Sequence, residues 1–478
     1  MIPREILSFL NISGNYILLV KGDPGVGKTI FSLEALKSLK NYKGIYFSTR
    51  DSIDAVKTQL PWIKELADGL LFIDAVRPSQ FISKSIPANK AIELSTLPRF
   101  LKSLYVELIT LKKENKDEHV IVIIDSLDAL SIALDVDKVE LLQQIKNMII
   151  TVNAKGIVTT ECKNVTQVDF IADGVILLSK QKYDNRLLRT LVFEKLRGIE
   201  ISRNTCVFSL EHGHFYTFQD NPNVPIGHKA AYQTIIDAIK QYKCLTESIN
   251  IALKNQQTIY KHISDDTCFL FVYEPDIPGH IKGFVHGTHI INALQNNRHV
   301  FYMPSKSVEP RFIYNAFIVM LRGDEKIAEH IHIISLFDEC INMGNAIGKN
   351  TLNLESFINN IISEVSKYTN KGEKVLVSLD IDHIATYFDT LADEKKLMKA
   401  LTNLVSFTRK TNSLCIIKTY KRKPLVNELE VLTDVSMHVF SLSGQFFIYG
   451  TKPYTGIYGI VFERKEKDIY SVSFRKIV

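Results

Sequence analysis

The eight residues Gly22–Thr29 constrain the fold of this chain more than any other segment. They read Gly-Asp-Pro-Gly-Val-Gly-Lys-Thr and fit the pattern G-x-x-x-x-G-K-[ST] in full. An apolar, β-rich run, Tyr16–Lys21, precedes them, and a helical stretch of about Thr29–Leu39 follows. Glycines in such a loop let backbone N–H groups converge on phosphate oxygens, and the helix adds the positive end of its dipole. The segment therefore predicts a P-loop that binds a nucleoside triphosphate.

The chemistry of a P-loop assigns roles to individual side chains. Lys28 is expected to reach the β- and γ-phosphates, and the Thr29 hydroxyl is expected to complete a magnesium shell. Asp125 ends the apolar run Val120–Ile124, so a buried strand would deliver its carboxylate beside the loop to hold Mg²⁺, usually through water. The alternative is that Asp125 caps a helix. The predicted Mg-ATP site comprises Gly22, Asp23, Pro24, Gly25, Val26, Gly27, Lys28, Thr29, Ile30 and Asp125, with Thr29 and Asp125 as metal-binding residues.

The first half of the chain alternates strand and helix signals. Further apolar strands are predicted at Gly44–Thr49, Val120–Ile124 and Gly156–Thr160. Such alternation is typical of an α/β domain, in which helices cover both faces of a parallel sheet. After Gly174 the strands become short and polar turns separate them, which predicts an antiparallel extension that starts at Val175.

The second half repeats the order of the first, which predicts two domains, 1–218 and 229–478, joined by a linker at 219–228. The linker holds two prolines and turn-forming Asp and Asn residues. The alternative is that the two halves are alike only because strands and helices alternate in any α/β domain. The repeats pair Ile17–Val20 with Phe269–Val272, Ile123–Asp128 with Ser378–Asp382, Ile171–Gly174 with Leu432–Val435, and Val192–Lys195 with Val461–Arg464.

The loop that would be the second P-loop has lost the residues that bind phosphate. His280 stands in place of the lysine, and Ile281 stands in place of the serine or threonine. Glu274 and Asp276 would repel phosphate, and the prolines remove N–H donors. We therefore expect a degenerate domain without nucleotide, which serves as an interaction platform or a built-in assembly partner.

Composition narrows the class of protein. The net charge of +6 permits nucleic-acid binding, but the basic residues are scattered, so DNA is not favoured as a partner. The richest apolar run, Val120–Leu134, is broken by two aspartates, and residues 1–5 do not resemble a signal peptide. The expected location is the cytoplasm, with no membrane partner.

A set of short motifs resembles the KaiC/RadA branch of the RecA superfamily. Residues 1–6 and 47–50 most resemble archaeal proteins related to the gas-vesicle regulator GvpD. The resemblance covers residues 1 to about 218 and implies a RecA-like fold for both repeats. The motifs that carry it are Gly22–Thr29, Gly44–Thr49, Val122–Leu127, Ala172–Gly174 and Phe193–Gly198.

The resemblance also implies roles for residues outside the P-loop. Members often assemble as rings or filaments, in which Lys195 and Arg197 would reach the γ-phosphate of a neighbouring subunit. The alternative is that Lys195 and Arg197 are strand cations that form only weak surface ion pairs. Relatives carry a catalytic glutamate pair where this chain has Arg50 and Asp51, so Asp51 is the candidate catalytic carboxylate and hydrolysis is slow or absent. Arg50 could pair with a phosphate, and Glu161 is a candidate sensor or substitute carboxylate.

Three functions follow from these patterns. The first is a weakly hydrolysing regulatory ATPase, whose nucleotide state controls self-association or the binding of a protein partner. The second is a DNA-linked ATPase similar to a recombinase paralogue. The third is a scaffold that holds ATP as a structural ligand without turnover. ATP is the expected nucleotide and Mg²⁺ the expected ion in each case.

Overall fold

A computed structural model describes residues 2–39, 42–66, 69–74, 99–114, 119–218, 266–306, 308, 313–314, 329–336, 346–347, 353–388, 394–421, 425–466 and 469–478. Contacts divide the chain into two compact units, residues 1–219 with 477–478, and residues 220–476. The predicted linker at 219–228 lies outside the described residues.

The first unit consists of one sheet with helices on both sides. Its strands are β1 (Ile17–Lys21), β2 (Tyr42–Ser48), β3 (Leu70–Asp74), β4 (His119–Asp125), β5 (Lys155–Thr160), β6 (Gly174–Tyr183), β7 (Arg186–Leu196), β8 (Thr205–Ser209) and β9 (Tyr216–Thr217). Its α-helices are α1 (Arg4–Asn11), α2 (Lys28–Lys37), α3 (Ile53–Gln59), α4 (Arg99–Glu114), α5 (Leu127–Leu134), α6 (Lys138–Thr151) and α7 (Gln167–Ile171), with 3-10 turns at Pro61–Leu66 and Glu211–Gly213.

The strand order of this sheet is β3-β2-β4-β5-β1-β6-β7-β8-β9. In this order, the six strands from β3 through β6 are parallel to one another. Strands β7, β8 and β9 are each antiparallel to the strand before. Strand β6 is parallel to β1, so the prediction that the antiparallel extension starts at Val175 was one strand too early. All five residues of β1 are buried because apolar clusters cover both faces of the sheet.

The second unit also consists of a mixed sheet with helices. Its strands are β10 (Cys268–Tyr273), β11 (His299–Tyr302), β12 (Ile331–Ile334), β13 (Ala346–Ile347), β14 (Val375–Asp380), β15 (Leu414–Tyr420), β16 (Val435–Leu442), β17 (Gln445–Lys452), β18 (Tyr458–Glu466) and β19 (Ile469–Lys476). Its α-helices are α8 (Gly279–Gln295), α9 (Leu354–Thr369), α10 (Ile381–Tyr387), α11 (Glu394–Lys410) and α12 (Leu425–Leu432). None of the described helices in either unit has the length and apolar composition that crossing a bilayer requires.

The order of the second sheet is β13-β12-β11-β14-β15-β10-β16-β17-β18-β19, and its antiparallel part begins after β16. Strand β10 lies between β15 and β16, as β1 lies between β5 and β6. The two units are therefore tandem RecA-like α/β domains, and the second is a degenerate repeat of the first.

Matching hydrogen bonds at the amino edge of each sheet support this correspondence. Asp173 Oδ2 accepts the N–H of Ile17 at the start of β1, at 3.1 Å. Asp434 Oδ2 accepts the N–H of Cys268 at the start of β10, at 2.8 Å. Each aspartate therefore ties the end of a crossover to the central strand of its sheet.

In both units this aspartate also accepts a hydrogen bond from a cation on a neighbouring helix. Lys146 on α6 donates to Asp173 Oδ1 at 3.1 Å and to the Ile171 carbonyl at 2.7 Å. In the second unit, Arg409 on α11 donates to Asp434 Oδ1 at 2.9 Å and to the carbonyl two residues earlier, that of Leu432, at 3.0 Å. The amino edges of the two units are thus built alike.

One of the four predicted pairs of repeated segments was wrong. The counterpart of β7 in sheet order is β17, which follows β16, and not β18, which contains Val461–Arg464. Val461–Arg464 resembles Val192–Lys195 only locally, because pairing in the hairpins, rather than local sequence, decides which strands correspond. The other three pairs lie on corresponding elements.

Candidate functional site

The loop Gly22–Gly27 connects β1 to α2 at the carboxyl edge of the first sheet. Gly22 has a φ of 148°, and a Cβ there would lie 2.3 Å from the Leu178 carbonyl oxygen. Gly27, at a φ of 104°, is the N-cap residue of α2, and a Cβ there would meet the Leu210 side chain at 2.8 Å. Only glycine satisfies both constraints, so the sequence pattern reflects the geometry of the loop.

Lys28 lies folded against the loop that precedes it. Its Nζ donates to the carbonyl oxygens of Gly22 at 2.7 Å and Asp23 at 3.0 Å. Burial lowers the pKa of Lys28, and the charge of Glu161, followed by that of Asp125, acts in the opposite direction. The ammonium therefore lies where phosphate oxygens could replace the two carbonyls as its acceptors.

Thr29 and Asp125, the two residues predicted to bind magnesium, meet at the end of β4. Thr29 Oγ1 donates to Asp125 Oδ2 at 2.5 Å, and the Tyr46 hydroxyl donates to the same oxygen at 2.9 Å. Thr159 Oγ1 donates to Asp125 Oδ1 at 2.6 Å. Burial and the charge of Asp125 raise the pKa of Tyr46 well above its ordinary value, so its hydroxyl remains a neutral donor.

The alternative role for Asp125, that of a helix cap, belongs to its neighbour. Ser126 is the N-cap residue of α5, and its side chain accepts the N–H of Ala129. The Asp125 carboxylate therefore remains directed at Thr29. A hydroxyl and a carboxylate beside a phosphate cradle suit Mg²⁺, which prefers oxygen ligands and usually takes the rest from phosphates and water. No cluster of three or more His, Cys, Asp and Glu that could hold a metal occurs among the described residues.

Arg50 and Asp51 follow β2, one strand away from Asp125 in the sheet. The Arg50 Nη1 forms an ion pair with Glu161 Oε1 at 2.5 Å. Asp51 is exposed, and its backbone carbonyl accepts the Ser48 hydroxyl at 2.5 Å. The catalytic role of Asp51 therefore stays a prediction.

Glu161 is held in place through its backbone. The Asp128 Oδ2 accepts the N–H of Glu161 at 2.7 Å, and Asp128 also pairs with Lys138. Burial alone would raise the pKa of Asp128, but the hydrogen bonds from Lys138 and Glu161 lower it. Two residues on, Lys163 pairs with Asp23 of the P-loop. The contacts of Lys163 and of Asp128 with Glu161 could not be predicted from the sequence, because each joins segments that are distant along the chain.

Lys195 and Arg197 lie at the opposite, amino edge of the sheet. Lys195 Nζ donates to the carbonyls of Asp169 at 3.1 Å and Ala172 at 2.6 Å. Arg197 Nη1 pairs with Asp173 Oδ1 at 2.8 Å. Burial, and then the charge of Arg197, lower the pKa of Lys195. The structure thus brings Lys28, Thr29 and Asp125 together but places these two cations away from them.

Sequence reasoning missed Lys21, the last residue of β1. Its side chain is 0% exposed and forms ion pairs with Asp169 at 2.7 Å and Glu194 at 3.0 Å. Burial would lower the pKa of Lys21, but the two carboxylates raise it overall. A lysine at the end of an apolar strand gives no sign of its partners, because both lie more than a hundred residues away.

The corresponding edge of the second unit is occupied by its own side chains. Asp380, the counterpart of Asp125, caps α10 by accepting the His383 N–H at 3.0 Å. Ile281 is buried, and Asp276 accepts a hydrogen bond from Ser441. Asp380 is thus used within the fold, and Asp276, in the loop that corresponds to the P-loop, is tied to a strand residue.

Known proteins are similar to parts of this chain. Residues 11–219 match the family model described as the ATPase KaiC. Protein GvpD1 of Halobacterium salinarum is 24% identical over 225 residues, which are 45% of this chain and 40% of that protein. A solved KaiC-like protein of Pyrococcus horikoshii OT3 is 19% identical; the match covers 43% of this chain and 91% of that one, with a TM-score of 0.35.

The matched segment contains the whole of the site described above, from the P-loop to Lys163. The match to GvpD1 covers less than half of the length of that protein. Residues 11–219 therefore form a KaiC-like domain of the RecA-type P-loop ATPases, and part of the chain is similar to a GvpD protein.

Proposed function

We propose that the first unit binds Mg-ATP and hydrolyses it slowly, and that the bound nucleotide controls self-association or the binding of a protein partner. The observation that carries this proposal is the convergence of Lys28, Thr29 and Asp125 at one glycine-rich loop. Backbone N–H groups and Lys28 would hold the β- and γ-phosphates. Thr29 and Asp125 would hold Mg²⁺, which would neutralise charge on the phosphates.

Slow turnover follows from the side chains beside the magnesium residues. Hydrolysis needs a group that orients or deprotonates the attacking water. Arg50 cannot accept a proton, and Asp51, the candidate for this role, is exposed. We therefore expect the unit to hold ATP much longer than an efficient ATPase does.

The proposal of assembly is supported by the place of Lys195 and Arg197. Both lie at the amino edge of the sheet, whereas the P-loop lies at the carboxyl edge. Contact between either cation and a γ-phosphate would therefore require a second copy of the chain. Such a contact would depend on nucleotide and would couple its state to assembly.

The binding test compares wild type with Lys28→Met and Lys37→Met. Lys37 lies on the same helix, α2, but at its far end, where it pairs with Glu65. We expect wild type and Lys37→Met to bind fluorescent ATP with similar affinity, and Lys28→Met to lose binding at least about tenfold. Equal binding by all three proteins, or by none, would show that the loop does not bind ATP.

The functional test measures turnover and molar mass of wild type with Mg-ATP, Mg-ADP or neither. A mass that changes between Mg-ATP and Mg-ADP, with slow phosphate release, is the expected result. Retention of ATP without turnover or change in mass would favour the scaffold. Release of phosphate that DNA stimulates, with salt-sensitive DNA binding, would favour the DNA-linked ATPase.

A further inference from the structure

Two ion pairs lie on either side of the proposed phosphate site, and one short segment carries both. Residues 161–163, here called the clasp, follow β5. At one end of the clasp, Glu161 Oε1 pairs with Arg50 Nη1 at 2.5 Å. At the other end, Lys163 Nζ pairs with Asp23 Oδ2. The clasp is thereby connected both to the P-loop and to the turn after β2.

The strand order places the clasp across the site. Arg50 follows β2, Glu161 follows β5, and β4 lies between these strands and ends at Asp125. The Arg50–Glu161 pair therefore spans the strand that delivers Asp125. The Lys163–Asp23 pair spans from β5 to its neighbour β1, where the loop begins. The four neighbouring strands that form the site are thus bridged at their carboxyl ends.

The base of the clasp is fixed, whereas its charged side chains are at the surface. Asp128 accepts the backbone N–H of Glu161 at 2.7 Å. The side chains are 57% exposed for Arg50 and 32% for Glu161, and 44% for Lys163 and 38% for Asp23. Exposed ion pairs contribute little to stability. Both pairs can therefore separate by rotation of side chains without any change in the backbone of the fold.

A triphosphate is a stronger partner for these cations than the carboxylates are. Its terminal oxygens would lie at Lys28, between the two pairs, and would bring several negative charges close to Glu161 and Asp23. A guanidinium matches two phosphate oxygens with a pair of parallel hydrogen bonds, and a lysine ammonium acts on phosphate as a point charge. Like charges repel, so the same ligand would drive the two carboxylates away.

We propose that Arg50 and Lys163 bind the terminal phosphates of the nucleotide and exchange the carboxylates of Glu161 and Asp23 for phosphate oxygens. The clasp then closes the site in the absence of nucleotide and opens when a triphosphate binds. This inference rests on the proposed function, because it requires Mg-ATP at Lys28.

Equilibrium binding of Mg-ATP and Mg-ADP to single variants gives the first test. We expect Arg50→Gln to weaken Mg-ATP binding about tenfold, with a smaller effect on Mg-ADP, because a charge-assisted bond to the terminal phosphate is lost. Glu161→Gln should bind Mg-ATP several-fold more tightly, since a competing carboxylate is removed. Arg4→Gln, which removes an exposed cation from α1, is the control and should bind as wild type does.

A double-mutant cycle in thermal stability gives the second test. Thermal unfolding is measured for wild type, Arg50→Gln, Glu161→Gln and the double variant, without nucleotide and with saturating Mg-ATP. The two substitutions should be coupled without nucleotide and independent with it. Coupling that persists in Mg-ATP, or that is absent in both conditions, would overturn the clasp.

The two proposals fail in different ways. If wild type binds no nucleotide, the proposed function itself is wrong. If wild type binds Mg-ATP and Lys28→Met does not, while Arg50→Gln and Glu161→Gln bind as wild type does, the proposed function stands and only the clasp is wrong.

Discussion

Lys452 in the second unit occupies the place that Lys195 has in the first. Lys195 Nζ donates to the carbonyls of Asp169 and Ala172, which lie four and one residues before Asp173. Lys452 Nζ donates to the carbonyls of Glu430 and Thr433, which lie four and one residues before Asp434. Both lysines thus satisfy the last carbonyls of a short helix, α7 or α12. Lys195 has a role in the fold whether or not it reaches a neighbouring nucleotide.

Replacement of Lys195 should therefore destabilise the first unit. Lys195→Met leaves two carbonyls without a charged donor, and we expect the free energy of unfolding to fall by about 1–3 kcal/mol. The fluorescence of Trp62, the one tryptophan of the sequence, reports on this unit, because its ring is buried and stacks on His214 at 5.0 Å. Urea unfolding followed at this residue measures the change.

Lys452→Met is the matched control, since it removes the same contacts from the unit without a tryptophan. The urea transition followed by Trp62 fluorescence should stay as in wild type. A shift in the urea concentration at which helical circular dichroism is lost reports on the second unit. An equal shift of the Trp62 transition in both variants would show that the two units unfold as one.

Mixing two inactive proteins tests whether Arg197 acts on a neighbouring subunit. Lys28→Met should have no working P-loop, and Arg197→Gln should lack the cation that a neighbour would need. If Arg197 acts between copies, a mixture should hydrolyse ATP faster than either protein alone, because some contacts join an intact P-loop to an intact Arg197. Phosphate release is measured as the ratio of the two proteins varies.

Arg203→Gln provides the comparison, because it removes another cation beyond β7 and should keep activity without mixing. Failure of every mixture, with Arg197→Gln inactive alone, would restrict Arg197 to its ion pair with Asp173.

The glycines of the P-loop differ in what they tolerate. In Gly22→Ala the new Cβ would lie 2.3 Å from the Leu178 carbonyl oxygen, a distance that forces the backbone to move. In Gly25→Ala the φ is +75° but no atom lies within 4 Å, so the strain is that of the backbone alone, about 1–2 kcal/mol. We expect Gly22→Ala to abolish ATP binding and Gly25→Ala to fold and to keep measurable binding. Thermal shift with and without Mg-ATP checks both, and an unchanged Gly22→Ala would contradict the geometry.

Lys21 should be a major determinant of the stability of the first unit. Lys21→Met leaves the carboxylates of Asp169 and Glu194 without their buried partner, and breaking such a pair costs about 3–5 kcal/mol. Glu194→Gln keeps the pair with Asp169 and should cost less, since Glu194 is the more exposed of the two partners. Urea unfolding at Trp62 distinguishes the two variants. A smaller effect for Lys21→Met than for Glu194→Gln would contradict this ranking.

The pH dependence of the Lys21 effect has a definite sign. The folded pKa of Lys21 is raised above its unfolded value of about 10.4, so the ion pairs contribute in full below that pH. Their contribution is lost only as pH rises through the folded pKa. The difference in unfolding free energy between wild type and Lys21→Met should therefore stay constant from neutral pH to about pH 10 and narrow above it. A difference that narrows between pH 7 and 9 would contradict the raised pKa.

The central part of the fold was readable from the sequence because local signals agreed with one another. The apolar run before Gly22 and the glycines after it specify a strand, a tight loop and a helix in that order. Asp125 could be placed beside this loop because strands of a parallel sheet end at the same edge. Its other hydroxyl partners, Tyr46 and Thr159, could not be identified, since a Tyr or Thr in a strand equally fits an apolar core.

The side-chain contacts that could not be predicted from the sequence depend on which strands are neighbours in the sheet. Strand order decides that Arg50 meets Glu161 and that Lys21 meets Glu194, and no local pattern encodes that order. The assignment of Val461–Arg464 to the place of β7 failed for the same reason. A similar four-residue string does not specify the register of a hairpin.

The aspartates at the amino edges of the two sheets have an evolutionary consequence. Asp173 and Asp434 anchor the first residue of each central strand and lie far from the edge where a ligand would bind. After a duplication, each copy has to keep this scaffold in order to fold, while the opposite edge of one copy is free to diverge. A search for silent copies of such domains should therefore look for the anchoring aspartate and for a lysine that donates to the preceding carbonyl, as Lys195 and Lys452 do, and not for the glycine-rich loop.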